Sequence, residues 1–540
     1  MTEMIQNSLG RLVPTSVNGF CYEPYQGAYA DLPPGPVSVV PTVTRQGTGG
    51  SKVRKSLVEV IQECVPDGGW VSFPHYYRDD PTALAIVIDA LRAAGKRDVK
   101  LLGIAFFKSH AQVLLPAVEE GVLAGFEGNV YDEVAKAVVD GKLGAWTVLG
   151  RTHGGRARAF QRGERPVDLA IGPVPIADKW GNANGVMGNP ASLCGPIGLF
   201  EPDARWAKKT CLLAEVIHPG YLIPNPINLT MVDYVVQVPK VGDNRGIATG
   251  STDIRRVSGD PQRNRIADNV VAIMEASGVV KDGFNFQIGS GAGLLALRKM
   301  LNIMRSRGIK GGFTVGGSME YHVDLLDEGL VELFLDGQCF QPSVRLFESL
   351  RTNPRHVEVS TSLYYSVAAK QAAVSLMDVV VLGGSEVDVD FNINTVTGYD
   401  GVLRTGIGGG PDAAAGGKLT IFVMPVARVN RKGLSAPCVR EKVETVVTPG
   451  EVVSCVVTDE HVAINPNNKS PYLPALRENA KRFGLNVISI EELKELADAK
   501  ARELGTLMPV PRYTDDVIFA VEWRDGRLID CVRRLEQQPV

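Results

Sequence analysis

The segment DLAIGPVPIADKWGNANG, residues 168–185, runs from an apolar stretch straight into a polar loop punctuated by glycine. Asp178, Asn182 and Asn184 place three small polar side chains within seven residues at its end. The segment DVVVLGGSEVDVDFNINTVTG, residues 378–398, repeats the arrangement. Asp168 answers to Asp378, Asp178 to Asp388, Asn182 to Asn392 and Asn184 to Asn394, and 210 positions separate each pair (394 − 184). One such loop could be accidental, but two in register point to an internal repeat of the chain.

The echo extends outward in both directions. DGGWVSF from Asp67 returns as DGFNFQIG from Asp282, and EEGVLAGF around Gly121 returns as DEGLVELF around Gly329. After each polar loop a basic start leads into an apolar strand, KKTCLLAEVIHP in the first half and GKLTIFVMPVAR in the second. Within each half, short apolar runs closed by Gly or Pro alternate with amphipathic stretches. SKVRKSLVEVIQEC, for example, sets Val53, Leu57, Val60, Ile61 and Cys64 on one helical face. Strand-then-helix order predicts α/β architecture: two similar tandem domains, each with a mainly parallel sheet flanked by helices. The expected boundaries are a proline-rich extended arm over 1–44, domains over 45–280 and 281–510, and a strand–turn–helix tail over 511–540.

A chain of 540 residues exceeds what one hydrophobic core usually serves, which agrees with that division. A net charge of −3 gives no electrostatic reason to expect nucleic acid or an anionic membrane. No apolar run approaches the roughly 20 residues of a membrane-spanning helix. The opening MTEMIQNSLGRLVP has no basic region followed by an apolar one, so a cytoplasmic protein is expected. The eight cysteines are scattered without a C-x-x-C, and the seven histidines without ligand spacing, so neither a metal site nor a disulfide framework is expected.

In open parallel sheets, ligands bind beyond the carboxyl ends of the strands, so the loops there hold the candidate residues. QIGSGAGLLAL places Gly289, Gly291 and Gly293 between a strand and a helix, where bare backbone can approach an anion. The same spacing also suits a tight turn, and it misses the dinucleotide and phosphate-loop patterns. In GVLRTGIGGGPDAAAGG, the run through Gly406, Gly408, Gly409 and Gly410 offers clustered N–H donors of the kind that stabilise a developing oxyanion. The alternative is a flexible surface loop. RTHGGRARAF sets His153, Arg156 and Arg158 around a Gly-Gly turn, and FPHYYRDD offers His75 and Arg78 at another strand end. Arginines so placed can grip a polycarboxylate through paired N–H donors, or they can simply face solvent.

The loops ADKWGNANG and VDVDFNINTVTG, together with the IGSGAG turn, resemble the CoA-transferase superfamily. The ordered series GSKVRKSL, THGGRARAF, ADKWGNANGVMG, DGFNFQIGSGAG, VDLLDEGLVELFLDGQCF and EVDVDFNINTVTGYDGVLR is similar to the citrate lyase alpha subunit family, with VTPGEVVSCVVTDEHVAINP extending the likeness towards the end. The resemblance implies a transferase that exchanges acetate for citrate on an acyl-carrier or CoA thioester. It implies no tightly bound cofactor and no metal, since the thiol belongs to CoA or to a CoA-derived prosthetic group on the carrier. It also implies a citrate lyase beta subunit and an acyl carrier (gamma) subunit as partners, with citrate, acetate and acetyl-CoA as small molecules and an oligomeric assembly.

Carried onto this chain, the chemistry assigns Gly408 and Gly409 to the oxyanion. His75, Arg78, His153 and Arg156 fall to the carboxylates of the substrate. Gly289, Gly291 and Gly293, with Asp178, Asn182, Asn184, Asp388, Asn392 and Asn394, fall to the thioester-bearing group or to bracing the loops around it through Asx-turns. Glu320, in TVGGSMEYH, stands where many covalent CoA-transferases carry a nucleophilic glutamate, although the citrate lyase branch resembles the direct-transfer group. It is either that nucleophile or a charge favoured at a helix start; Glu386 is the other candidate carboxylate. Two further readings stay open: a stand-alone CoA-transferase for another small acid working through Glu320, and a non-catalytic scaffold of a lyase complex.

Overall fold

The computed structural model describes residues 3–33, 50–248, 259–288 and 292–536. Two parallel sheets carry the chain. In the first, the order Val53–Arg54, Tyr234–Gln237, Lys209–His218, Leu169–Asp178, Trp70–Phe73, Val99–Phe106, Leu123–Val130 is parallel throughout. In the second, Val331–Cys339, Gly311–Ser318, Phe286–Ile288, Val379–Gly383, Leu419–Val423 and Cys455–Val457 follow one another in parallel. His356–Glu358 adds to one edge, and Val462–Ile464 turns back antiparallel at the other. Read from Leu123–Val130 to Tyr234–Gln237, and from Val331–Cys339 to Cys455–Val457, the two sheets place their strands in the same order along the sequence.

The strand Leu169–Asp178 is buried along its whole length, as a central strand covered on both faces must be. The helix Leu57–Cys64 starts where the Ser56 hydroxyl accepts from the Glu59 N–H, and it buries Leu57, Val60 and Ile61. Val53, expected on the same helical face, instead lies in an edge strand, because the cap at Ser56 stops the helix short of it. One core runs through both halves: Phe73, Phe160, Cys194 and Ile197 pack in the same cluster as Cys339, Phe347, Tyr364 and Ala413. A second cluster, between the second sheet and the helices Pro261–Ala276 and Ala292–Arg307, fills the outer layer.

Both ends of the chain differ from expectation. Residues 3–33 are not an extended arm. They form short hairpins, Met4–Gln6 with Leu12–Pro14 and Ser16–Val17 with Phe20–Cys21. These dock on the C-terminal strands through Asn7 Nδ2 donating to the Ile529 carbonyl and the Arg11–Asp530 ion pair. The tail is a hairpin of Tyr513–Glu522 with Leu528–Leu535 rather than a strand and a helix. Leu528, Ile529, Cys531 and Val532 are buried, and the first tail strand pairs in parallel with Val148–Arg151 of the first half. Long-range pairing thus overrides the helical potential of DCVRRLEQ.

Candidate active site

The two repeated loops share one hydrogen-bond pattern around their Asp and Asn side chains. Asp178 Oδ1 accepts from the N–H groups of Trp180 and Asn182, and Asn182 Nδ2 donates to Asp178 Oδ2. Asp388 Oδ1 accepts from Asp390 and Asn392, and Asn392 Nδ2 donates to Asp388 Oδ2. Asn184 Oδ1 takes the N–H groups of Val186 and Met187, and Asn394 those of Val396 and Thr397. All six side chains are buried, and besides the loops they tie in neighbouring segments: Asp178 Oδ2 accepts from the Leu222 N–H, Asn182 Oδ1 from the Leu229 N–H and Asn392 Oδ1 from the Gly450 N–H, while Asn184 Nδ2 donates to the Pro224 carbonyl. They brace strand ends through Asx-turns. At the strand starts, Asp168 accepts from the Trp70 N–H and Lys208, and Asp378 from the Asn285 N–H and Lys418.

The second loop leads into the glycine run, and that run crosses to the first half. Gly408 presents its carbonyl to the His153 N–H at 3.3 Å. Asp412, buried in the short helix Gly410–Gly416, accepts from the Gly154 N–H at 2.8 Å and from the Thr152 hydroxyl at 2.9 Å. On the other side, Asn129 Oδ1 accepts from the Ile407 N–H at 2.7 Å while its Nδ2 donates to the carbonyls of Ile104 and Arg151. These contacts need bare backbone: a Cβ on Gly406 would lie 2.2 Å from that of Asn129, and one on Gly409 would lie 2.8 Å from the Tyr365 ring and 3.0 Å from the His153 ring. Gly408 has φ +67°, which a side chain would strain. Among the described residues, the N–H groups of Gly408 and Gly409 donate to no protein acceptor.

Facing this turn are side chains from both halves. The rings of His75 and His153 lie parallel, with centroids 6.2 Å apart, and Tyr365 lies 6.0 Å from His153. Burial and the nearby Arg156 and Arg78 hold the His153 imidazole down at about 4, and burial with Arg78 depresses His75 strongly, so both rings are neutral near pH 7. His75 Nδ1 is buried without a hydrogen-bond partner. Arg78 donates to the Gln338 side chain (3.3 Å) and the Cys339 carbonyl (3.4 Å), and its guanidinium lies 4.4 Å from the Phe340 ring centroid. Among the described residues no carboxylate pairs with it, and burial pulls its pKa down to about 10. A cation so placed, half-buried and unpaired, is ready for an anionic ligand.

Arg156 does not share that freedom. It is buried and forms a two-pronged pair with Asp203, at 2.6 and 2.5 Å. Arg158 is held by Glu522 and Glu164. Arg156, expected to grip substrate, is instead found committed to Asp203, with only its Nε unpartnered; its helix, His153–Gln161, sets it among buried residues, while His153 at the helix start is half-buried at the seam. Glu320 begins the helix Glu320–Asp327, is exposed, and lines a separate concavity of about 450 Å³ with Arg298, Arg305 and Asp324. None of His75, Arg78, His153, Gly408 or Gly409 borders that concavity. Its setting is shared by Lys108 in the first half, since His110 Nδ1 accepts from the Phe107 N–H as His322 Nδ1 accepts from the Met319 N–H. Glu386 is engaged by Arg440 (2.9 Å) and Asn394 (2.8 Å).

Gly289 and Gly291 lie outside the described residues; Gly293 packs against Ile288 and Val381. The sequence reading passed over Asn129, Tyr365 and Asp412, which position the glycine turn; only the closeness of Asp412 to the glycine run could have marked one of them. Among the described residues no cluster of three or more His, Cys, Asp or Glu could hold a metal ion, and no helix is long and apolar enough to cross a membrane.

The family described as "Citrate lyase, alpha subunit" matches residues 50–535. The citrate lyase alpha chain of Klebsiella pneumoniae is 36% identical over 495 residues, covering 90% of this chain and 92% of that one. That of Escherichia coli is 35% identical over 494 residues, covering 90% and 91%. A crystal structure described as the putative alpha subunit of citrate lyase from Streptococcus mutans, in complex with citrate, superposes with a TM-score of 0.88 at 32% identity, covering 98% of this chain and all of that one. A 4-hydroxybutyrate CoA-transferase from Porphyromonas gingivalis shares the fold, with a TM-score of 0.51 at 15% identity over 84% of this chain and 97% of that one.

Proposed function

Since the chain belongs to the citrate lyase alpha subunit family and is a citrate CoA-transferase of the citrate lyase complex, we propose that the exchange takes place at the seam where Gly408 and Gly409 face His153 and Arg78. The observation that carries this is the pair of unused N–H groups on a glycine turn opposite an arginine without a carboxylate partner. A citrate carboxylate oxygen, steered by Arg78, attacks the acetyl thioester carbonyl. The oxyanion that forms is met by the N–H groups of Gly408 and Gly409. It collapses with departure of the thiolate, leaving a citric–acetic anhydride. The thiolate then attacks the citryl carbonyl, and acetate leaves with the bridging oxygen. Two neutral histidines beside the turn keep the site dry without adding positive charge that would trap the thiolate.

In this reading no enzyme carboxylate becomes covalent, and Glu320 is a helix-start charge. The six Asx residues brace the turns and do not touch substrate. The two sheets are tandem copies of one domain, over 45–280 and 281–510, brought together to make the seam. The thioester arrives on an acyl carrier subunit, a beta subunit cleaves the citryl product, and the complex works in the cytoplasm. The test is to mix the purified chain with acetyl-CoA and citrate and to look for citryl-CoA and acetate by mass spectrometry. Equimolar formation of both is expected, and formation of neither contradicts the assignment.

A further inference from the structure

A second concavity is lined by neither histidine of the pair and begins at Thr405, just before the glycine turn. It has a volume of about 930 Å³ and is built from three separate stretches, around residues 385–405, 428–434 and 508–512, with 535–536 closing one side. Five cations line it: Arg404, Arg428, Arg431, Lys432 and Arg512. Against them stand two carboxylates, Asp400 and Glu536. Arg404 pairs with Asp400, and Arg428 donates to the Gly384 carbonyl. Arg431, Lys432 and Arg512 are exposed and have no acidic partner among the described residues. A chain with a net charge of −3 thus gathers a surplus of three positive charges in one hollow. Its wall also holds the Thr395 hydroxyl, buried without a hydrogen-bond partner, the ring of Tyr399 and the side chain of Met508.

Charge alone would suit any anion, but the size narrows the choice. Pockets of roughly 300–1,000 Å³ enclose ligands of drug size, and a six-carbon acid would leave most of this one to water. Guanidinium groups without a carboxylate partner of their own match phosphate oxygens, and the half-buried ring of Tyr399 in the same wall suits a base. The position narrows it further. Thr405 lines the hollow, and Gly408 stands three residues on. Three extended residues span at most about 11 Å, which is within the length of a pantetheine arm.

We propose that this hollow binds the phosphorylated nucleotide end of the thioester donor, either the adenosine phosphate part of free CoA or the corresponding end of a CoA-derived group on a carrier protein. The inference rests on the reading of the Gly408–Gly409 turn as the thioester site. With the nucleotide end held among Arg431, Lys432 and Arg512, the arm runs along Thr405 and delivers its carbonyl to the turn. Binding the donor by its remote phosphates leaves the seam itself shaped for the reacting carbonyl and for citrate.

The test uses the full chain and the double variant Arg431→Glu/Lys432→Glu, whose side chains are exposed. Calorimetry with adenosine 3′,5′-bisphosphate is expected to show binding to the wild type that weakens at least tenfold in the variant; equal binding to both, or none to the wild type, overturns the proposal. Kinetics use acetyl-CoA, an acetylated carrier and acetyl-N-acetylcysteamine, which has no nucleotide end. The ratio of kcat/KM for acetyl-CoA to that for the small thioester is expected to fall at least tenfold in the variant. A fall for the carrier alone identifies the carrier-borne group as the occupant, and a constant ratio for both donors overturns the proposal. If the wild type turns over no thioester yet binds the bisphosphate, the thioester-site reading fails and the anion site stands.

Discussion

Arg78 and Arg156 both lie near His75 and His153 and differ in what holds them. Arg78 has a side-chain amide, a carbonyl and a phenyl face; Arg156 has both oxygens of Asp203. Replacing Arg78 with Gln removes the free cation, so the KM for citrate should rise on the order of ten- to a hundredfold while the KM for acetyl-CoA changes little. Steady-state kinetics with each substrate varied in turn would show it, and equal rises in both would contradict the assignment. Arg156→Met should act on stability instead. It leaves Asp203 buried and unpaired, which costs about 3–5 kcal/mol in denaturant unfolding. The sequence contained both arginines as candidates, but their order of importance was hidden, because the partner Asp203 is 47 positions away and nothing local announces it.

At the scale of elements, the repeated Asx loops were legible because their hydrogen bonds are local: each carboxylate binds N–H groups two and four residues on, so the pattern is written in consecutive letters. The alternation of strands and helices was legible for the same reason. The glycine run was legible as a backbone that something must approach. What approaches it, Asn129, His153 and Tyr365, comes from far along the chain and was not. The hairpins at both ends were missed because their pairing joins residue 7 to residue 529. The turn itself can be tested. Gly409→Ala would push a methyl group into Tyr365 and His153 and shift the N–H donors away from the oxyanion. kcat should fall by about 10²–10³ with the fold retained in near-UV circular dichroism. Unchanged turnover in the folded variant would remove the turn from the chemistry.

Across the whole molecule, the seam is where the two sheets act as one body. Glu358, at the edge of the second sheet, accepts from the Ile197 N–H of the first half at 2.6 Å, and a Cβ on the adjoining Gly198 would lie 2.2 Å from the Val359 carbonyl oxygen. Burial holds the Glu358 carboxyl up at about 8, against an ordinary value of 4.5. Below 4.5 both the folded and unfolded states keep the proton. Between 4.5 and 8 only the folded state does, so stability falls as pH rises through that window and levels off above it. Glu358→Gln keeps an acceptor for Ile197 and removes the titration. The stability of wild type relative to this variant should therefore decline from pH 5 to pH 8 in urea titrations; a difference independent of pH would contradict it.

If citrate attacks the thioester directly in the seam, the fate of oxygen in a single turnover shows it. Enzyme in excess is mixed with acetyl-CoA and citrate carrying ¹⁸O in its carboxylates, and the first acetate released is analysed by mass spectrometry. Direct attack makes the attacking citrate oxygen the bridge of the anhydride, so that acetate should carry one ¹⁸O. Unlabelled acetate, with ¹⁸O recovered in the peptide containing Glu320, would show that an enzyme carboxylate takes the acyl group first and would contradict the account.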